Sequence, residues 1–77
     1  LLTSEIKIFP NPTAGLIYFK IPESIVLTSV EVLDNNLKTM YTSTTDLKSI
    51  SLESYPSGVY YIVFNNDKTL NFKIIKK

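Results

Sequence analysis

Pro10-Asn11-Pro12-Thr13-Ala14-Gly15-Leu16-Ile17-Tyr18-Phe19-Lys20-Ile21 runs from a proline-stiffened corner straight into an alternating strand. Pro10 and Pro12 confine Phe9 and Asn11 to extended backbone and carry no N–H donors of their own. The corner therefore ends one strand and cannot lie inside a ladder. Asn11, Thr13 and Gly15 suit a tight turn closed by hydrogen bonds from side chain to backbone. Beyond it, Ile17, Phe19 and Ile21 alternate with Leu16, Tyr18 and Lys20. Period-two alternation of this kind marks a strand with one buried face.

The same period recurs along the chain. Ile6 and Ile8 alternate with Glu5 and Lys7, and Val30 and Val32 with Ser29 and Glu31. Ile50 and Leu52 alternate with Ser49, Ser51 and Glu53, and Leu70, Phe72 and Ile74 with Asn71 and Lys73. Turn-forming residues gather between these runs, at 11–15, 22–24, 34–36, 43–46, 56–58 and 65–68. About seven short strands at this spacing predict an all-β sandwich with Greek-key connections. Ile17, Phe19, Val30, Val32, Leu52 and Phe72 are expected to share one core. No window of ten residues carries a helical period.

Two segments break the alternation. Val59-Tyr60-Tyr61-Ile62-Val63-Phe64 is apolar or aromatic throughout, as in a strand covered on both faces or one that offers an apolar face to a partner. Ile74-Ile75 places two apolar residues in succession, so Ile75 is expected to point away from the core. So small a sandwich has no internal cover for its outer faces. Exposure is therefore expected among Tyr60, Ile62, Phe64 and Ile75, either as scattered surface apolarity or as a contact patch.

Length and composition bound the function. Seventy-seven residues make one domain. A chain of this size buries only about 60% of its unfolded surface, and its core seldom supplies more than about 3–5 kcal/mol. The net charge of +1, with both signs mixed, leaves no broad basic footprint for nucleic acid. No apolar run approaches the roughly 18 residues of a membrane-spanning helix. A chain that starts with leucine reads as a piece of a longer protein or a processed product.

Catalytic motifs are missing. With no His and no Cys, the chain lacks the commonest general base, metal ligand and thiol nucleophile. Glu5, Glu23, Glu31, Asp34, Asp46, Glu53 and Asp67 stand singly in turns or at outward strand positions. No enzyme activity and no cofactor are expected. Asn11-Pro12-Thr13 has the outline of a glycosylation acceptor, but the central proline forbids it. Pro12-Thr13-Ala14-Gly15 lacks the Leu-Pro-x-Thr-Gly order of a Gram-positive sortase signal. Asp34-Asn35-Asn36 and Asn65-Asn66-Asp67 are rich in oxygen yet lack the ligand count of a calcium loop, and hairpin turns demand the same residues.

Three segments are turn or edge devices by these rules: Pro10-Asn11-Pro12-Thr13-Ala14-Gly15, then Pro56-Ser57-Gly58-Val59-Tyr60, then Lys73-Ile74-Ile75-Lys76-Lys77. Exposed lysines on a last strand protect its edge from other strands. The order of these segments over residues 6–77 resembles the type A C-terminal sorting domain of the type IX secretion system. One residue departs from the family: Leu37 in Val32-Leu33-Asp34-Asn35-Asn36-Leu37-Lys38 stands where the family has glycine. The resemblance implies an immunoglobulin-like β-sandwich spanning residues 1–77, without chemistry of its own. It implies cargo fused to its N-terminus, passage through the periplasm and a type IX translocon, and a secreted or cell-surface destination. It also implies a sortase-like cysteine peptidase that removes the domain. The residues it marks for recognition by that machinery are Pro10, Asn11, Pro12, Thr13, Gly15, Gly58, Val59, Tyr60, Lys73, Ile74, Ile75, Lys76 and Lys77. For Pro10, Pro12 and Gly15 a sandwich corner is explanation enough. For Asn11 and Thr13 both readings stay open. The alternatives are an adhesive or spacer module and a carbohydrate-binding module presenting Tyr18, Tyr41 and Tyr60.

The hairpin at Leu37 admits two registers. A two-residue turn at Asn35-Asn36 pairs Val32 with Thr39. A three-residue loop pairs Asp34 with Lys38 and Val32 with Met40, at the cost of a left-handed Leu37, about 1–2 kcal/mol. Burial of Met40 opposite Val32 outweighs that cost in this reading, so the three-residue loop is expected.

Overall fold

The computed structural model describes residues 6–45 and 47–77, so the expectations for Glu5 and Asp46 lie outside the described residues. Within them the chain forms β1 (Lys7–Phe9), β2 (Leu16–Lys20), β3 (Val30–Leu33), β4 (Thr39–Ser43), β5 (Ser49–Ser51), β6 (Gly58–Phe64) and β7 (Asn71–Lys76), with no helix. Two antiparallel sheets result, one ordered β1-β2-β5 and the other β4-β3-β6-β7. The chain changes sheet after β2, after β4 and again after β5. This is the predicted all-β sandwich of immunoglobulin type.

Burial follows the alternation. Ile17, Val30, Val32, Leu52 and Ile74 are buried, while Ile75 is 43% exposed. Phe19 and Phe72 are half-buried at the margin of the core rather than inside it. Each meets Phe64 edge-on, at centroid distances of 5.1 and 5.7 Å. That geometry sets the positive ring edge against the negative face.

Of the four residues among which exposure was expected, Ile75 is exposed, whereas Tyr60, Ile62 and Phe64 are buried. An apolar run has no phase of its own, so the neighbouring strands supply it. The register sets Ile62 between Val32 and Phe72 and Tyr60 beside Ile74, which turns the even positions inward. Val59, Tyr61 and Val63 take the outer face. Val63 is nonetheless buried there, flanked by Glu31 and Asn71. The Tyr60 hydroxyl donates to the Pro56 carbonyl at 2.6 Å, so the buried phenol is satisfied. A tyrosine near the start of this strand, bonded to backbone a few residues upstream, is a recurring corner device of such sandwiches.

The β3–β4 hairpin meets half of its expectation. The Asp34 N–H donates to the Lys38 carbonyl, Leu37 has φ 64°, and Leu33 pairs with Thr39, as the three-residue loop requires. The predicted Val32–Met40 pair does not form. A bulge next to the loop leaves Met40 as an extra residue, 38% exposed, and sets Tyr41 opposite Val32. The Asp34 carboxylate accepts from the Asn36 and Lys38 amides, so the turn is held by a side chain as well as by backbone.

Two stability changes follow. Phe64→Ala should cost about 3–5 kcal/mol in urea denaturation, and Phe72→Ala clearly less, because only Phe64 is fully buried. Leu37→Gly should raise stability. It relieves about 1–2 kcal/mol of left-handed backbone strain, offset by about 0.4–1 kcal/mol from a freer unfolded chain. A fall in the urea midpoint of Leu37→Gly would refute this account of the loop.

Candidate functional site

The corner between β1 and β2 passes from one sheet to the other and back. Pro10, Asn11 and Pro12 are exposed, and Thr13 is buried. The Phe9–Pro10 and Asn11–Pro12 peptide bonds are both cis. Thr13 then forms a parallel bridge with Lys76 on the outer edge of β7: its N–H donates to the Ile75 carbonyl and its carbonyl accepts from the Lys77 N–H, both at 2.9 Å.

Asn11 continues this bridge two residues earlier with its side chain. Its Nδ2 donates to the Lys73 carbonyl at 3.0 Å, and its Oδ1 accepts from the Ile75 N–H at 3.0 Å. One residue bonding the carbonyl before and the N–H after a given position is the pattern of a parallel bridge, here centred on Ile74. Between two prolines, the amide side chain supplies the donor and acceptor that a pairing strand would otherwise provide.

The structure thus brings the three segments into one strip. Thr13 lies against Lys76 on one side of β7, and Gly58, Val59 and Tyr60 pair with Lys76, Ile75 and Ile74 on the other. Lys73 and Ile75 are exposed on the outer face, whereas Ile74 is part of the core. Tyr60 also faces the core. Burial, then the Asp34 carboxylate, then Tyr55 push its phenol above the ordinary value. It therefore remains a neutral donor to Pro56 and offers nothing at the surface. Tyr61 and Leu33 were not singled out in the sequence, yet Tyr61 lies beside Lys73 on the outer face, with Leu33 on its far side. The cross-strand register alone reveals them.

Gly15 stands apart from the strip. Its carbonyl accepts from the Leu52 N–H at 2.7 Å, and its N–H donates to the Thr13 hydroxyl at 3.0 Å. A Cβ at Gly15 would lie 2.4 Å from Glu53 Cγ, so glycine is required by close approach. Gly58 is required for another reason: its surroundings are open, but its φ of 153° is one that side chains rarely adopt.

The other candidate sites are not assembled. Tyr18 and Tyr41 are exposed on different sheets and Tyr60 is buried, so the three tyrosines share no face. Asp67 spends its carboxylate on the Thr69 hydroxyl and N–H, and those bonds hold its pKa below the ordinary value. Among the described residues, no three of His, Cys, Asp and Glu come together as metal ligands.

Gly15→Ala and Gly58→Ala should each destabilise the domain by about 1–3 kcal/mol, the first by overpacking and the second by backbone strain. Adding Glu53→Ala should recover part of the loss in Gly15→Ala and none in Gly58→Ala. Equal behaviour of the two double variants in urea denaturation would contradict the separate causes.

A family model described as the secretion system C-terminal sorting domain matches residues 7–77, which take in the corner, the entry to β6 and the whole of β7. No curated protein and no solved structure matches the chain. The family's members are sorting signals of type IX secretion, with cargo fused N-terminally and bound for the cell surface or the exterior. With nearly its full length matched, the chain belongs to the family of type IX secretion C-terminal sorting domains.

Proposed function

We propose that residues 1–77 are the single sorting domain of a longer exported precursor and act as a folded address label without catalytic activity. Cargo crosses the inner membrane on a conventional signal peptide and enters the periplasm. The domain then directs it through the outer-membrane translocon, and a sortase-like cysteine peptidase at the surface removes the label. The family match over residues 7–77 carries this reading. The convergence of Asn11, Thr13, Gly58, Val59 and the residues of β7 on one edge supports it, because a shaped label needs its marks on a common surface. Of the thirteen residues marked by the resemblance, Lys73, Ile75 and Lys77 are the exposed ones on β7 and its end. We assign the direct contact with the translocon to them. Ile74, Tyr60 and Gly15 serve by shaping the fold.

The test is a reporter with a signal peptide fused ahead of residues 1–77, expressed in a type IX-competent strain. The reporter is expected at the surface or in the medium. Deleting residues 73–77 should hold it in the periplasm, but that deletion also removes the core residue Ile74. Lys73→Glu combined with Lys77→Glu should trap the reporter while changing stability by less than about 0.5 kcal/mol, since both side chains are exposed. A wild-type fusion that stays in the periplasm would favour the adhesive or spacer module instead.

A further inference from the structure

We propose that Asn11 is the positioning residue of the sorting signal: it closes the outer edge of β7, so the secretion machinery meets this strand through its side-chain face and not through its backbone edge. The proposal rests on the sorting function above and specifies how the signal is read. A sheet edge offers a partner two things. One is unpaired backbone, to which an extended segment adds as a further strand; the other is the row of side chains that alternate above and below it.

On β7 the first of these is taken from the Lys73 carbonyl to the Lys77 N–H. The Lys73 carbonyl and Ile75 N–H are bonded to the Asn11 amide, and the Ile75 carbonyl and Lys77 N–H to the Thr13 backbone. The inner side of the strand is bonded to β6. A strand added by a partner along this stretch would first have to displace the corner. The side chains of Lys73 and Ile75 remain accessible, next to Val59 and Tyr61 on the outer face. Cation and apolar group thus alternate along a strand whose phase is fixed from both sides. A one-residue slip of β7 would exchange Ile74 for Ile75 and carry the lysine off the face. Asn11 opposes such a slip, because its donor and acceptor fit only one carbonyl–amide pair at a time.

The two modes of reading differ in the sign of a single experiment. If a partner adds to the edge, uncovering it with Asn11→Ala should keep or raise export. If the fixed face is read, the same change should lose export. Two variants are used, Asn11→Ala and Asn11→Asp. The second keeps the shape and the acceptor but loses the donor to Lys73. Amide exchange is measured on the 77-residue chain and export on the reporter fusion. Ile50→Val serves as a control for ordinary loss of stability, since Ile50 is a core residue on β5, in the other sheet.

The wild-type chain should show protected Ile75 and Lys77 amides, a result that needs no variant to fold. Both Asn11 variants should keep a cooperative thermal transition. Exchange at Ile75 should rise about tenfold in Asn11→Ala, the scale of one lost hydrogen bond, and less in Asn11→Asp, which keeps the acceptor for the Ile75 N–H. The Ile74 amide, held by β6, should stay protected, and export should be lost while Ile50→Val exports normally. Unprotected wild-type amides would overturn the clamp. Export at or above the wild-type level in the Asn11 variants would overturn the face reading in favour of strand addition. A wild-type fusion that is not exported overturns the sorting function itself, a failure distinct from the other two.

Discussion

One amide side chain ties the two ends of this fold together. Asn11 sits between two prolines, where the main chain has little to offer a neighbouring strand, and bonds Lys73 and Ile75 across more than sixty residues of sequence. Thr13 repeats the step with its backbone, while its hydroxyl is occupied by the Leu16 carbonyl and the Gly15 N–H. A segment that starts in the β1-β2-β5 sheet is thereby pinned to the last strand of the other sheet. A small sandwich has two open sides, and here the corner shuts one of them without adding a full strand. That economy matters in a chain too short to bury more than about 60% of its unfolded surface.

The interior depends on a second constraint, the phase of β6. It is one of the two inner strands of its sheet, and Tyr60, Ile62 and Phe64 face inward only because β3 and β7 hold it in that register. The strands themselves are legible in the sequence, since alternation and turn residues mark each of them. The facing of the run from Val59 to Phe64 is not legible, because every residue in it tolerates burial. Its aromatic ends also misdirect. Phe72 alternates cleanly and yet ends half-buried, while Phe64, in the unphased strand, fills the centre between Phe19 and Phe72.

The hairpin shows the same division between local and tertiary information. A left-handed Leu37 follows from the loop length and from Asp34, whose carboxylate closes the turn. The bulge at Met40 does not follow, because β4 is an edge strand with a neighbour on one side only and its packing tolerates the extra residue. A bulged edge also twists away from regular pairing, which is one of the ways a sheet avoids unwanted partners.

Each piece of the candidate site was readable as a turn or an edge, and the family resemblance marked all three pieces. Their union was not readable, since it joins the start of β6 to β7 across 14 to 18 positions and the corner to β7 across 62 to 64. Contacts so distant in sequence form only after the chain between them has been ordered, because closing long loops costs entropy that local structure does not return. The strip made by the corner, the start of β6 and β7 is therefore a property of the whole sandwich. If either sheet loosens, the register of β7 loses one of its two supports, and the lysines and Ile75 lose their fixed spacing. A label built this way distinguishes a folded domain from the same sequence in an unfolded chain, a distinction that a linear code of the same residues could not make.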